Sequence, residues 1–345
     1  MKKYLTALFT TLLFFTLILA GCGNQNSKSE KIKKGDISLI NIGNCFIFTA
    51  NEGGSISKIS VKNLKVVDNY KIDGMVHNIQ VSPNGKIVGA TVIPSMTMNM
   101  KGKAIFFNPI SNKIIKEVEV GNHPAHLVFT NDGKYAVVTN NEDNNISVID
   151  MKSFQVIKKI PTGKGPHGFR ISNDSQFAYV ANMGENSISV INLSTLKEEK
   201  EIQVGDTPVT TGITSDGKTL VVTLNKENAL AIIDLDSGKI DKVKVGEGPA
   251  QVFIQSDNQF AYVANQGSEK NPSHTLSKVD LKTKKVVATI ETGKGSHGVV
   301  TSPDTKFTYV TNMFDNTVSV IDNSKNTVVK TIHVGKTPNG ISIMP

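Results

Sequence analysis

Short runs of β-branched and aromatic residues, broken by Asp, Asn, Gly and Pro, cover the chain from about residue 45 to its end. Residues 297–338 hold the unit in full. Residues 299–300, 307–311, 317–322 and 327–334 are four β-patterned runs, separated by Pro303-Asp304, Asp315-Asn316 and Asn323-Ser324. β-branched and aromatic residues suit a pleated, half-buried strand, and the residues between them suit turns. The residue closing the first turn recurs as Asn84, Asp132, Asp174, Asp216, Asp257 and Asp304, at spacings of 41 to 48 residues. A four-strand unit at that period predicts a propeller blade. Six units start near His77, Ala125, His167, Val209, Ala250 and His297, with longer connections in the second and sixth blades. Residues 45–51, 55–61 and 66–72 supply three strands before them, and residues 340–344 supply one after. Three plus one completes a seventh blade and leaves the ring no open edge. The expected fold is all-β: a seven-bladed β-propeller of four-stranded antiparallel blades. Its closing blade joins residues 37–75 to residues 339–345.

Residues 1–21 follow another pattern. Lys2-Lys3 precedes an apolar run over residues 5–20, the order of a secretory signal peptide. The run is short for a membrane span. Leu19-Ala20-Gly21-Cys22 resembles the bacterial lipobox, which implies cleavage before Cys22 and lipidation of its thiol. The mature chain is then expected on the extracytoplasmic face of the cell membrane, held there by acyl chains. Residues 22–36 are polar and lysine-rich and read as a flexible tether, which leaves 37–345 for the propeller. With Cys22 lipidated no intrachain disulfide can form, and Cys45 is expected as a small core residue.

The formal net charge is +8, supplied almost wholly by lysine, with Arg170 the only arginine. No basic run alternates with aromatics, which argues against nucleic acid as a partner. Such a charge suits proximity to anionic lipid or wall polymer, and a protein or cell-wall partner is open. The chain is expected to be a monomer. No HExxH, Cys-x-x-Cys, P-loop, dinucleotide fingerprint or G-x-S-x-G occurs, and nothing encodes covalent haem.

Tyr309-Val310-Thr311-Asn312 recurs in variant form at residues 137–140, 179–182 and 262–265, with weaker copies at 47–51 and 221–225. Ser-Val-Ile-Asp at 147–150 and 319–322, and Pro-His-Gly at 166–168, accompany it. These motifs resemble the YVTN-type propeller family across nearly the whole mature chain. The resemblance implies a seven-bladed fold and an extracytoplasmic setting. The family is similar in architecture to the haem d1 domain of cytochrome cd1 nitrite reductase, to the N-terminal domain of nitrous oxide reductase and to lactonase-type propellers. A shared fold does not assign a function.

Strand alternation sorts the loops onto two faces. One receives the short first turns; the other receives the entries to the inner strands and the turns between second and third strands. Seven residues before each marker the inner strands begin, giving the ring Asn339, His77, Ala125, His167, Val209, Ala250 and His297. The next position gives Gly340, Asn78, His126, Gly168, Thr210, Gln251 and Gly298. His77, His126, His167 and His297 therefore gather at one channel mouth and are the leading metal-ligand candidates. His123 in an entry loop, and His274 in a loop over residues 266–275, join that face, and His333 lies on an outer strand. His77, His167 and His297 belong to blades two, four and seven, a spread that a wide channel would keep from sharing one ion. Met183 and Met313 follow the motif asparagine on the same face, and Met96, Met98 and Met100 form a Met-x-Met-x-Met run. Imidazole with thioether suits copper above all, and also haem iron, so copper and non-covalent haem are the candidate cofactors. Arg170, Asn339 and Gln251 are candidate ligand-binding residues, Arg170 through a carboxylate or haem propionate.

Structural roles compete with these. Pro-His-Gly histidines can hydrogen-bond the entry turn, the methionines can fill blade interfaces, and Arg170 can pair with a buried carboxylate. Glu142, Asp143 and Glu185 read as solvated loop charges, and neither ring contains a carboxylate, which counts against a lactonase-like hydrolase. No catalytic residue is assigned. The leading reading is a membrane-anchored binding or scaffold module for copper, haem or a partner protein. The alternatives are a lactonase-like or haem-dependent redox enzyme, and a cell-wall or surface-layer adhesion module.

Overall fold

The computed structural model describes residues 45–94 and 101–345. The signal peptide, Cys22, the tether and Met96, Met98 and Met100 lie outside the described residues. Seven four-stranded antiparallel sheets form the blades. Six are built from consecutive strands. The closing blade pairs Pro338–Ile343 as its inner strand with Phe46–Asn51, through Ile47↔Ile343, Phe48↔Ser342 and Thr49↔Ile341. Ring closure by strands from both chain ends is thus observed as expected.

The core lies between blades rather than within one. In one such layer Val137 and Val148 of blade three meet Phe169 and Val180 of blade four. Inner and middle strands are buried almost throughout, whereas the outermost strands alternate, as in Lys65–Lys71. That alternation marks a strand with one face in water. Five of the six marker residues close the first turns by one device. Ser82, Thr130, Ser172, Thr214 and Ser302 donate their hydroxyls to Asn84, Asp132, Asp174, Asp216 and Asp304 at 2.5–2.9 Å. Cys45 is buried, its Sγ 3.4 Å from the Met344 carbonyl.

The recurring Thr-Asn pair now has a physical reason. The asparagine amide reaches a serine hydroxyl on the neighbouring strand, as in Asn140 to Ser147 at 2.9 Å and Asn312 to Ser319 at 2.9 Å. The threonine works between blades. The Thr139 hydroxyl accepts the His126 amide at 2.9 Å and donates to the His167 carbonyl at 2.7 Å. Thr91, Thr223 and Thr311 donate likewise to Ala125, Ala250 and Asn339 of the next blade. Every such bond fixes where the neighbouring inner strand enters the channel.

A β-bulge does the rest. Between inner and second strand the register gains one residue, between Val76 and Asn78, between Pro124 and Leu127, and between Pro166 and Phe169. Bulges re-aim side chains. Here they fall at the histidines, so residues from either of two successive positions can be brought to the axis. The sixth blade differs from expectation at His274. The hairpin of Phe260–Gly267 and Pro272–Asp280 extends past its neighbours, which puts His274 on an exposed strand rather than in a loop.

Candidate metal centre

His77, His126 and His167 come from the inner strands of blades two, three and four. Their ligand atoms all lie within 4.8 Å of one another, and all three side chains are buried. The Nε2 atoms of His77 and His167 are 3.3 Å apart. The expectation that a wide channel keeps His77, His167 and His297 apart is overturned for His77 and His167, whose rings meet at this mouth, whereas His297 stays outside the group.

The opposite ring nitrogens fix the tautomers. His77 Nδ1 lies 2.9 Å from Glu52 Oε1, and His167 Nδ1 lies 3.2 Å from the Val209 carbonyl. A carboxylate and a carbonyl only accept, so each Nδ1 carries the hydrogen. With both rings neutral, the two Nε2 lone pairs face each other at 3.3 Å. That contact is repulsive unless a cation or an extra proton stands between them. Two nitrogens bound to one tetrahedral ion at ~2.0–2.1 Å stand about 3.3–3.4 Å apart. His126 adds a second sign. It is fully buried, and neither of its ring nitrogens has a hydrogen-bond partner among the described residues. A buried polar group left unpaired in a native interior calls for an explanation such as a bound ion.

The electrostatics keep His126, His167 and His297 neutral. Burial pushes His126 well below its ordinary range, with the nearby His167, His77 and Arg170 adding to the effect. Burial, then His77 and His297, bring His167 down to about 3. Burial also dominates at His297, brought down to about 4. Glu52 feels burial in the opposite sense. Its hydrogen bond to His77, the charges of His77 and His297, and the Asn339 amide at 2.7 Å outweigh that burial and lower its pKa. Carboxylate, imidazole and open nitrogen in a row form the arrangement that orients metal-binding histidines.

The other candidates lie around this cluster. His297, across the ring in blade seven, has Gln251 Nε2 3.5 Å from its Nδ1 and stays outside the three-histidine group. Asn339 holds Glu52 rather than a ligand. Met313 is buried with its sulfur 3.2 Å from the Gln266 amide, and Met183 is exposed. His123 is exposed and pairs with Glu142 at 3.3 Å. Asp143 bonds Asn122, and Glu185 bonds Ser187. Arg170 makes no ion pair among the described residues, so the expected buried carboxylate partner is not found. Its guanidinium donates to the Phe169 carbonyl at 2.9 Å.

The profile of the YNCE-like β-propeller family matches residues 89–259 and 257–344. The chain belongs to the YNCE-like β-propeller family. No curated protein sequence matches it. Among solved structures it is similar to Kuenenia stuttgartiensis hydrazine synthase, with 22% identity and a TM-score of 0.69 over 78% of this chain and 90% of that one. It is also similar to the dihydro-haem d1 dehydrogenase NirN, solved in complex with DHE, with 13% identity and a TM-score of 0.63 over 86% of this chain and 74% of that one. Identities this low establish the fold these propellers share.

Glu52 is the residue that sequence reasoning missed in this YNCE-like chain, and it corrects the expectation that no carboxylate reaches the mouth. It sits in the turn from first to second strand of the N-terminal segment, directly after Asn51. That is the slot of Met183 and Met313 in their own blades. The rings were counted on inner strands alone, and this turn folds over them.

Proposed function

We propose that the protein is a lipid-tethered, extracytoplasmic propeller that binds one borderline transition-metal ion, zinc or copper(II), at its channel mouth. The observation that carries this is the 3.3 Å separation of two Nε2 atoms whose other nitrogens are committed to Glu52 and Val209. His77, His126 and His167 would hold the ion, with Glu52 orienting His77. Three neutral imidazoles suit such metals, which the order of divalent affinities ranks with copper highest. When bound, the ion supplies Lewis acidity and a position for an exogenous ligand. The chain's own residues hold the rings, keep His126 and His167 neutral and shield all three from bulk water. Of the methionine candidates Met313 is engaged with Gln266, which leaves Met183 and residues 96, 98 and 100 for copper. Membrane tethering rests on the leader and Cys22; among the described residues no helix is long and apolar enough to cross a membrane.

Haem is the second reading, favoured by the fold shared with NirN. A macrocycle occupies four equatorial positions of its iron, so three clustered imidazoles cannot all serve it. Equilibrium dialysis of metal-free protein against zinc, copper(II) and haem separates the two. One equivalent of metal taken up, and lost in the His77→Ala/His126→Ala/His167→Ala variant, supports the proposal. Haem uptake with no metal uptake overturns it.

A further inference from the structure

The channel also holds one cation that no opposite charge meets. Arg170 lies on the inner strand of blade four, Pro166–Ile171, three residues past His167. That is about 10 Å along the strand, toward the opposite mouth. Phe169 and Ile171 on either side pack into the core between blades three and four. Alternation turns Arg170 to the other side of the strand. There it lines a cavity of about 210 Å³ whose wall is partly apolar, Ile171 included, and whose rim carries Asn131, Asn173, Thr214, Ser215 and Asn258. These partners come from the first turns of blades three to six, so the cavity is at the far end of the channel from the histidines.

The rim is built and polar. Asn131 Nδ2 donates to the Asn173 carbonyl at 3.1 Å, and Asn258 Nδ2 donates to Ser215 Oγ at 2.7 Å. No carboxylate lines the cavity. The acids of the same turns are already spent within them. Asp132, Asp174 and Asp216 accept from Thr130, Ser172 and Thr214, and Asp257 accepts from Gln255. Arg170 has five N–H donors, and one is used among the described residues, on the Phe169 carbonyl. Burial alone lowers its pKa, to about 10, with no acidic group offsetting it. A half-buried cation without a counter-charge favours an anionic partner, and a guanidinium fork matches two oxygens of a carboxylate or phosphate.

We propose that this end of the channel is a binding site for a small oxyanion, with Arg170 as its charged anchor and the turn amides and hydroxyls as its rim. The site shares no side chain with the metal centre. As the only arginine, Arg170 gives a single Nε–Hε resonance in protein labelled with 15N-arginine. Inorganic phosphate, sulfate and succinate are titrated at constant ionic strength, with chloride as the control, on metal-free and zinc-loaded protein. The expected result is a saturable shift with at least one oxyanion in both forms. In thermal melts the accompanying rise in Tm is lost in Arg170→Gln, and the apparent affinity falls at least ten-fold in Arg170→Lys. A resonance that moves no more with any oxyanion than with chloride overturns the site, as does a Tm rise that persists in Arg170→Gln. If Arg170→Gln does not fold, the wild-type resonance decides alone. A failed metal titration leaves this result untouched.

Discussion

At the scale of single residues, chemistry is set by what holds the far side of each ring. Glu52 keeps the hydrogen on His77 Nδ1 and leaves Nε2 open. Replacing it by Gln, which is nearly isosteric, leaves an uncharged partner for the ring. Metal affinity should fall by about 10–100-fold with the fold intact, as for other outer partners of metal histidines; competition with a chromophoric chelator measures it. The buried histidines also make metal-free stability depend on pH. For His126, His167 and His297 the folded pKa lies below that of an unfolded histidine, near 6.5. Below that pH the unfolded chain takes up protons that the folded chain refuses, so stability falls with falling pH. Each group contributes about 1.4 kcal/mol per pH unit. The window runs from about 6.5 down to about 4 for His297 and about 3 for His167. Urea midpoints should drop between pH 7.5 and 5, with a shallower slope in His297→Gln. Equal midpoints across that range would contradict the burial of neutral rings.

At the scale of the element, the threonine of the repeated motif links one blade's second strand to the next blade's entry. Thr139→Val leaves the His126 amide and the His167 carbonyl without the bonds they now make. The cost should be about 1–3 kcal/mol by chemical denaturation. Thr223→Val removes the matching bonds to Thr210 and Ala250 and should cost a similar amount. Only Thr139→Val should also weaken metal uptake, because only it loosens two ligand-bearing strands. Strands and turns were legible in the sequence because their signals are local: period-two alternation, and Asp or Asn closing each first turn. The gathering of His77, His126 and His167 was legible only in part. Counting positions placed them at one mouth, but a bulge changes which way a residue points without changing the count. Glu52 was hidden because its turn belongs to the N-terminal segment, 25 residues before His77.

At the scale of the whole molecule, the ring owes its closure to one strand. Pro338–Ile343 pairs with Phe46–Asn51 and carries Asn339, which fastens Glu52. Removing residues 337–345 should open an edge of the closing blade, broaden the unfolding transition and promote self-association, read by calorimetry and light scattering. The same truncation should weaken metal binding from a distance, by freeing Glu52. The central claim is that three imidazoles from three successive blades share one ion. X-ray absorption on protein loaded with one equivalent of zinc tests it most directly. The expected result is a nitrogen shell near ~2.0 Å with outer-shell scattering from three imidazoles, reduced to two in His126→Ala. An oxygen-only shell without imidazole scattering, or an unchanged spectrum in that variant, would contradict it.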